Sequence, residues 1–168
     1  LPRAQPVKLY IYDAAGRRIR TLIDDMADTM FAAPGVGLAA PQVGVGLRVI
    51  VADLDTSDEP LPEDPDEAAE RRVLVAVVNP VIETREGTIR WEEGCLSVPE
   101  MLVEVDRANH IVVRGLDRDG EPLELDVEGF PAVVLQHEID HLDGTTLLDR
   151  VSSLKRRLYI KRKKKRDA

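Results

Sequence analysis

The stretch VVLQHEIDHLDG, Val133 to Gly144, holds two of the chain's three histidines four positions apart, with an acid directly after the first. In an α-helix, positions four apart differ by only about 40° around the axis, so His137 and His141 point the same way about one turn apart. Two imidazoles so placed can grip one ion. Glu138 is rotated by about 100° from His137, too far to join as a ligand but near enough to reach a water on the metal, which is the position of a base. The plain alternative is a solvated helix on which two histidines meet by chance. Against it, GFPAVVLQHEIDHL, Gly129 to Leu142, places apolar residues at helical spacing, as a helix laid on a core does.

A catalytic metal keeps three protein ligands and an open position, so a third ligand must come from elsewhere. Cys95 is the candidate, in WEEGCLSVPE, where Gly94 permits close approach of the backbone and Pro99 stiffens the chain beyond the cysteine. As the chain's single cysteine it forms no internal disulfide, which excludes a stapled secreted scaffold. Taken alone it reads as a small buried apolar residue; beside an H-E-x-x-H motif the ligand reading overtakes that one. Asp140 and Asp143 either orient the imidazoles or face water, and water is the reading adopted. His110, in a predicted strand, is not read as a ligand.

Working outward, 168 residues suffice for one domain with a hydrophobic core, and residues 1–168 are taken as one catalytic domain. The composition, 43% hydrophobic and 32% charged, is that of an ordinary soluble protein and excludes a disordered chain. No apolar run approaches the roughly 20 residues that span a bilayer. The opening LPRAQPVKLY lacks a signal-peptide layout, so a cytoplasmic protein with no membrane partner is expected. Net charge is −8, yet nine of the 23 basic residues fall in KRRLYIKRKKKR, Lys155 to Arg166. The acidic remainder makes sequence-specific nucleic-acid binding unexpected, while the basic end is either a solvated tail or a contact to RNA or another acidic surface.

From Arg17 to Met30 the apolar residues Ile19, Leu22, Ile23, Met26 and Met30 recur at helical steps, and Pro34 and Gly35 stop the helix. Leu47 to Asp53 reads as a strand. Residues 54–71 read as an acidic, proline-bearing loop insertion. RVLVAVVNPVIE and EGTIRWEE are β-rich, and HIVVRGL, DRDG and EPLELDVEG spell strand, tight turn, strand. A final basic helix or tail occupies 151–168. This order predicts an α+β fold, with largely antiparallel sheets packed around a central H-E-x-x-H helix and a helix near each end.

Three segments together, GVGLAAPQVG (Gly35–Gly44), EEGCLSVP (Glu92–Pro99) and QHEIDHLDG (Gln136–Gly144), resemble the peptide deformylase family in content, order and spacing. The resemblance extends from about Ile19 to the C-terminal helix. It implies removal of the formyl group from the N-terminal formylmethionine of new polypeptides, with release of formate. It also implies one divalent ion on Cys95, His137 and His141, Glu138 as general acid and base, and Gln42 with the Leu96 backbone amide holding the carbonyl oxygen. Val36, Gly37, Gly94, Trp91 and Val134 would contact the peptide, which pairs as an extended strand near Gly37. An apolar pocket from Val36, Leu38, Val133 and Val134 would take the methionine side chain, and Trp91 either lines the cleft or packs. Ferrous iron is implied in the cell, with Zn²⁺, Ni²⁺ or Co²⁺ as substitutes, and the basic helix would reach the ribosome.

GVGLAA also fits a dinucleotide fingerprint with alanine last, but that needs a strand before it and a helix after it; here a helix precedes and a strand follows, so nucleotide binding is rejected. Two rivals remain. A zinc endopeptidase shares the motif and its water activation, although Cys95 in place of a third histidine or an acid favours deformylation. A non-catalytic ribosome- or RNA-binding module would use Lys155 to Arg166.

Overall fold

The first expected helix forms as α1, Ile19–Ala32, burying Leu22, Ile23, Met26 and Met30 along one stripe. In this computed structural model the described residues are 19–57, 62 and 64–166. The opening LPRAQPVKLY, the first two residues of the predicted Arg17–Met30 helix, residues 58–61 and 63 of the acidic segment and the last two of the basic tail lie outside them.

The chain then runs β1 (Gly37–Ala39), a 3₁₀ turn (Ala40–Val43), β2 (Val49–Asp53), α2 (Pro65–Arg71), β3 (Leu74–Glu86), β4 (Ile89–Glu93), β5 (Val103–Arg107), β6 (His110–Leu116), β7 (Pro122–Glu128), α3 (Phe130–Leu142), a second 3₁₀ turn (Leu147–Asp149) and α4 (Ser153–Arg166). Five strands make one sheet in the order β1-β2-β3-β6-β7, and β4 pairs with β5 in a second. Every pairing is antiparallel. The α+β architecture around the motif helix is therefore observed.

Strand β2 explains why the larger sheet carries a helix on each face. Successive strand residues point to opposite faces, and the first four of VIVAD are all buried. Val49 and Val51 pack with Leu22, Met26 and Met30 of α1. Ile50 and Ala52 pack with Ala132, Val134, Leu135 and Ile139 of α3, joined by Val77, Ile111 and Val113 from the neighbouring strands. A strand buried on both sides must be apolar throughout. A third cluster, Val98, Met101, Val103, Val105 and Leu147, supports the smaller sheet and has Cys95 packed against it.

The β6–β7 turn forms as the DRDG reading expects. Asp117 Oδ1 accepts the backbone N–H groups of Asp119 and Glu121, and Gly120 takes φ 85°, the left-handed region, where a β-carbon would be strained. Strand β3 shifts register between Val78 and Val81. Asn79 stands there at φ 52° and Pro80 has no N–H to give the ladder, so the strand bulges.

The acidic segment 54–71, expected as a loop, contains helix α2. Asp64 caps it by accepting the Glu67 N–H at 3.1 Å, and Pro65 occupies the first helical position, where an N–H is not needed. Capping thus overrides the turn-forming composition. Among the described residues no helix is long and apolar enough to cross a membrane.

Candidate metal centre and active-site cleft

Helix α3 has buried residues on every side, among them the polar Gln136, Glu138 and His141. Buried polar groups need partners, and each finds or awaits one. Gln136 pins the helix to the β5–β6 turn: its amide donates to Ala108 O at 2.9 Å and accepts the Ala108 N–H at 3.1 Å. That anchorage fixes which residues of α3 face the smaller sheet.

His137 and His141 face the same way, as their spacing requires. Their Nε2 atoms lie 3.2 Å apart, and Cys95 Sγ lies 3.2 Å from His141 Nε2. The sulfur and the two ring nitrogens fall within 4.8 Å of one another. One sulfur and two imidazoles are a donor set that first-row divalent metals take. His110 is elsewhere, in β6, against Asp126 and Glu86.

Behind the cluster lies a buried ionic chain. His137 Nδ1 donates to Glu93 Oε2 at 2.8 Å, which leaves Nε2 facing the sulfur. Arg107 grips Glu93 with two bonds, 2.7 and 2.9 Å, and donates to Asp140 at 2.6 Å; Arg150 reaches the same Asp140 oxygen at 2.7 Å. Asp140 therefore does not simply face water; it acts on the imidazole at two removes, through Arg107 and Glu93. Asp143 is paired with Arg48 at the surface.

The electrostatics arise from this packing. Burial pushes the Glu93 carboxyl up, but hydrogen bonds from Arg107 and His137 pull it down to about 2. Burial likewise raises the Cys95 thiol, and hydrogen bonds with His137 and His141 outweigh it, bringing it to about 6. Burial lowers His137, while its bonds to Cys95 and Glu93 raise it to about 10. The neighbours of Cys95 thus favour its thiolate, the form in which a sulfur binds a metal.

Glu138 is placed differently. It is buried, its Oε2 lacks a hydrogen-bond partner, and burial lifts its carboxyl to about 7 against the pull of His137 and His141. Gly37 makes room for it, since a β-carbon there would overlap Glu138 Oε1. This close approach is what that glycine of GVGLAA serves. An unpartnered buried oxygen costs free energy, and here its residue lines a cleft.

The cleft has a volume of about 490 Å³ and is lined by Val36, Gly37, Gln42, Trp91, Gly94, Cys95, Leu96, Val134, His137 and Glu138, among others. Val133 and Phe130 also line it. Leu38, expected in the apolar pocket, instead packs in the α1 core, because in β1 its side chain points to the face opposite Gly37. Trp91 takes both of its expected roles: it lines the cleft and stacks at 5.5 Å, tilted by 40°, on Phe130. Edge strand β1 meets the cleft at Gly37, and only one side of its backbone is used by the sheet.

A model of the polypeptide deformylase family matches residues 3–157. The chain belongs to this family. It is 49% identical over 150 residues to the peptide deformylase of Desulfosudis oleivorans, spanning 89% of this chain and 80% of that one. The crystal structure of a peptide deformylase from Legionella pneumophila superposes with TM-score 0.75 at 42% identity, covering 97% of this chain and 87% of that one. A Met-Ala-Ser-bound peptide deformylase from Acinetobacter baumannii gives TM-score 0.64 at 40% identity, over 76% and 78%. The protein is thus an enzyme, a hydrolase that removes the N-formyl group from nascent polypeptides.

Glu93, Arg107, Gln136 and Ser97 are the site residues that sequence reasoning passed over. Glu93, Ser97 and Gln136 lie inside the segments EEGCLSVP and QHEIDHLDG, which was their signal; Arg107 had none, because its charge masks the strand that carries it.

Proposed function

We propose that Cys95, His137 and His141 hold one divalent ion, ferrous iron in the cell, and that this centre deformylates N-formylmethionyl nascent peptides in the cytoplasm. The observation that carries the ligand assignment is the convergence of one sulfur and two ring nitrogens beside a cleft lined by Glu138, whose buried Oε2 has no hydrogen-bond partner. When bound, such an ion supplies Lewis acidity and makes hydroxide available near neutral pH, lowering the pKa of water from about 15.7 towards 7. Glu138 takes the proton of the attacking water and passes it to the departing amine, without which the nitrogen leaves poorly. The Gln42 amide and the Leu96 N–H hold the carbonyl oxygen as it gains charge. Gly37 and Val36 offer the edge of β1 to an extended peptide, a pairing indifferent to peptide sequence. Val133, Val134, Trp91 and Phe130 enclose the methionine side chain, and Gly94 keeps the backbone near Cys95 slim. The peptide ligand of the Acinetobacter relative agrees with this substrate.

The same donor set suits Zn²⁺, Ni²⁺ and Co²⁺, with affinity rising from iron towards zinc apart from still tighter copper, so supply decides occupancy. Metal analysis of protein purified without oxygen is expected to find iron, and the iron form should lose activity in air sooner than the nickel form; equal lifetimes would argue against iron. The basic helix α4 is assigned to the ribosome, where formylated chains emerge. The central test is formate release from formyl-Met-Ala-Ser alongside cleavage of internal peptide bonds. Formate without internal cleavage supports deformylation, whereas internal cleavage without formate makes the enzyme an endopeptidase.

A further inference from the structure

Gln42 stands in the 3₁₀ turn after β1, and its amide is held from three directions. Its Oε1 accepts the Ala39 N–H at 2.8 Å, which fixes Nε2 as the end that faces the cysteine loop. Nε2 donates to Ser97 Oγ at 3.0 Å. The same nitrogen lies 3.9 Å from Cys95 Sγ, while the Ser97 backbone N–H bonds the Cys95 sulfur. One residue therefore touches both a proposed metal ligand and a proposed oxyanion donor, the first through its backbone and the second through its hydroxyl.

An amide nitrogen has two N–H groups. With one committed to Ser97, the second is held on the side of the Cys95 sulfur, a residue that itself lines the cleft. A glutamine without that tie would spread over several rotamers and present its donor only part of the time, and preorganised donors are the effective ones.

We propose that Ser97 is a positioning residue for the reaction: its hydroxyl latches the Gln42 amide so that the second N–H meets the carbonyl oxygen. This rests on the reading of Gln42 as that oxygen's donor. The Ser97 hydroxyl touches no reacting atom, and the effect of that hydroxyl passes through Gln42.

The test compares nickel-loaded wild type, Ser97→Ala, Ser97→Thr, Gln42→Ala and the Gln42→Ala/Ser97→Ala double variant in formate release from formyl-Met-Ala-Ser. A net hydrogen bond is worth about a threefold to tenfold change. Ser97→Ala should lower kcat by that factor, with KM within about twofold and metal content unchanged, since an interaction made only in the transition state acts on kcat. Ser97→Thr, which keeps the hydroxyl, should recover most of the rate. In the Gln42→Ala background, itself slower by on the order of 10²- to 10³-fold, Ser97→Ala should cost less than about 1.5-fold, because the latch then has nothing to hold. An equal cost in both backgrounds, a loss that tracks metal content, or no loss at all overturns the proposal while leaving deformylation standing. Absence of formate from the wild type overturns both.

Discussion

Helices α3 and α4 are 13 and 14 residues long, and they meet opposite surroundings. In α3 the polar residues are buried or half-buried, and Gln136, His137 and Glu138 each have definite bonds or neighbours. In α4 nearly every side chain is exposed, Leu154 and Leu158 included, and few partners hold it: Tyr159 donates to Pro99 O at 3.3 Å, Lys155 to Leu102 O at 3.2 Å and Arg156 to Asp149 at 3.0 Å. The difference teaches that a charged helical residue acquires a role from what its helix is packed against. Chemistry sits where removing one group leaves another stranded.

Glu138 is where this contrast should break hardest. General acid–base groups contribute typically 10²- to 10⁴-fold, so Glu138→Gln should slow formate release by about that factor while the metal stays bound. The fold should not suffer, because the amide removes the cost of a buried carboxylate whose Oε2 has no partner. Thermal melting of the metal-free variant at or above the wild-type temperature, together with lost turnover, is the expected pair; a destabilised, demetallated variant would assign Glu138 to structure.

The next effect is one of stability. Arg107 and Glu93 are buried to 5% and 4% side-chain exposure, and removing one partner of a buried ion pair costs about 3–5 kcal/mol, because the other charge is left uncompensated. Arg107→Ala should show that loss in denaturant titration. Glu93→Gln should in addition weaken metal binding about 10- to 100-fold, the usual cost of an outer-shell partner of a ligating histidine. The double variant Glu93→Gln/Arg107→Ala should be less destabilised than the two single losses added together. Additive losses would mean that the ionic chain does not act as a unit.

The same ionic chain also marks how far the sequence could be read. Helix α1, strand β2, the β6–β7 hairpin and α3 were legible because each carries a periodic apolar signal and a definite stop. Cys95 lies 46 residues from His141, a separation that says nothing about distance in space, so motif and resemblance pointed to it where geometry could not. Strand β5 was missed because its inward positions are Val103, Val105 and then Arg107, and a charge at the third spoils the alternation. Its partners Glu93 and Asp140 lie 14 and 33 positions away, and Glu93 comes directly after an identical exposed residue, Glu92. Strand β1 is three residues long, too short to show a period. The cap of α2 was hidden inside an acidic run.

For α4 the contrast expects a smaller and more selective effect. Reversing Lys163, Lys164 and Lys165 to glutamate should leave formate release from a tripeptide within about twofold, since these side chains are exposed. Ribosome association at low salt should weaken, and its logarithmic salt dependence should fall by roughly 2–3, about 0.7–0.9 for each phosphate no longer neutralised. Unchanged association would return α4 to a solvated helix.

The smallest effect concerns the remaining histidine. His110 Nε2 donates to Asp126 Oδ1 at 2.6 Å, and Nδ1 lies 3.6 Å from Glu86 Oε2; Glu128 is opposite in register on β7. The bond to Asp126 raises the imidazole above its ordinary 6.5, against an opposing effect of desolvation and with added help from the charges of Asp126 and Glu86. Because folding favours the protonated ring, its contribution is fully present below about 6.5, the unfolded value, and is lost as pH rises through the higher folded one. His110→Gln should therefore melt lower than wild type at pH 6, by a few degrees at most, and the gap should close towards pH 9. The difference between the two proteins cancels every titration they share, so a gap that stays constant with pH would trace it to the neutral hydrogen bond and not to charge. Either result bears on the comparison of the helices, because it measures what an ion pair is worth where water competes for it, beside the Glu93–Arg107 pair from which water is excluded.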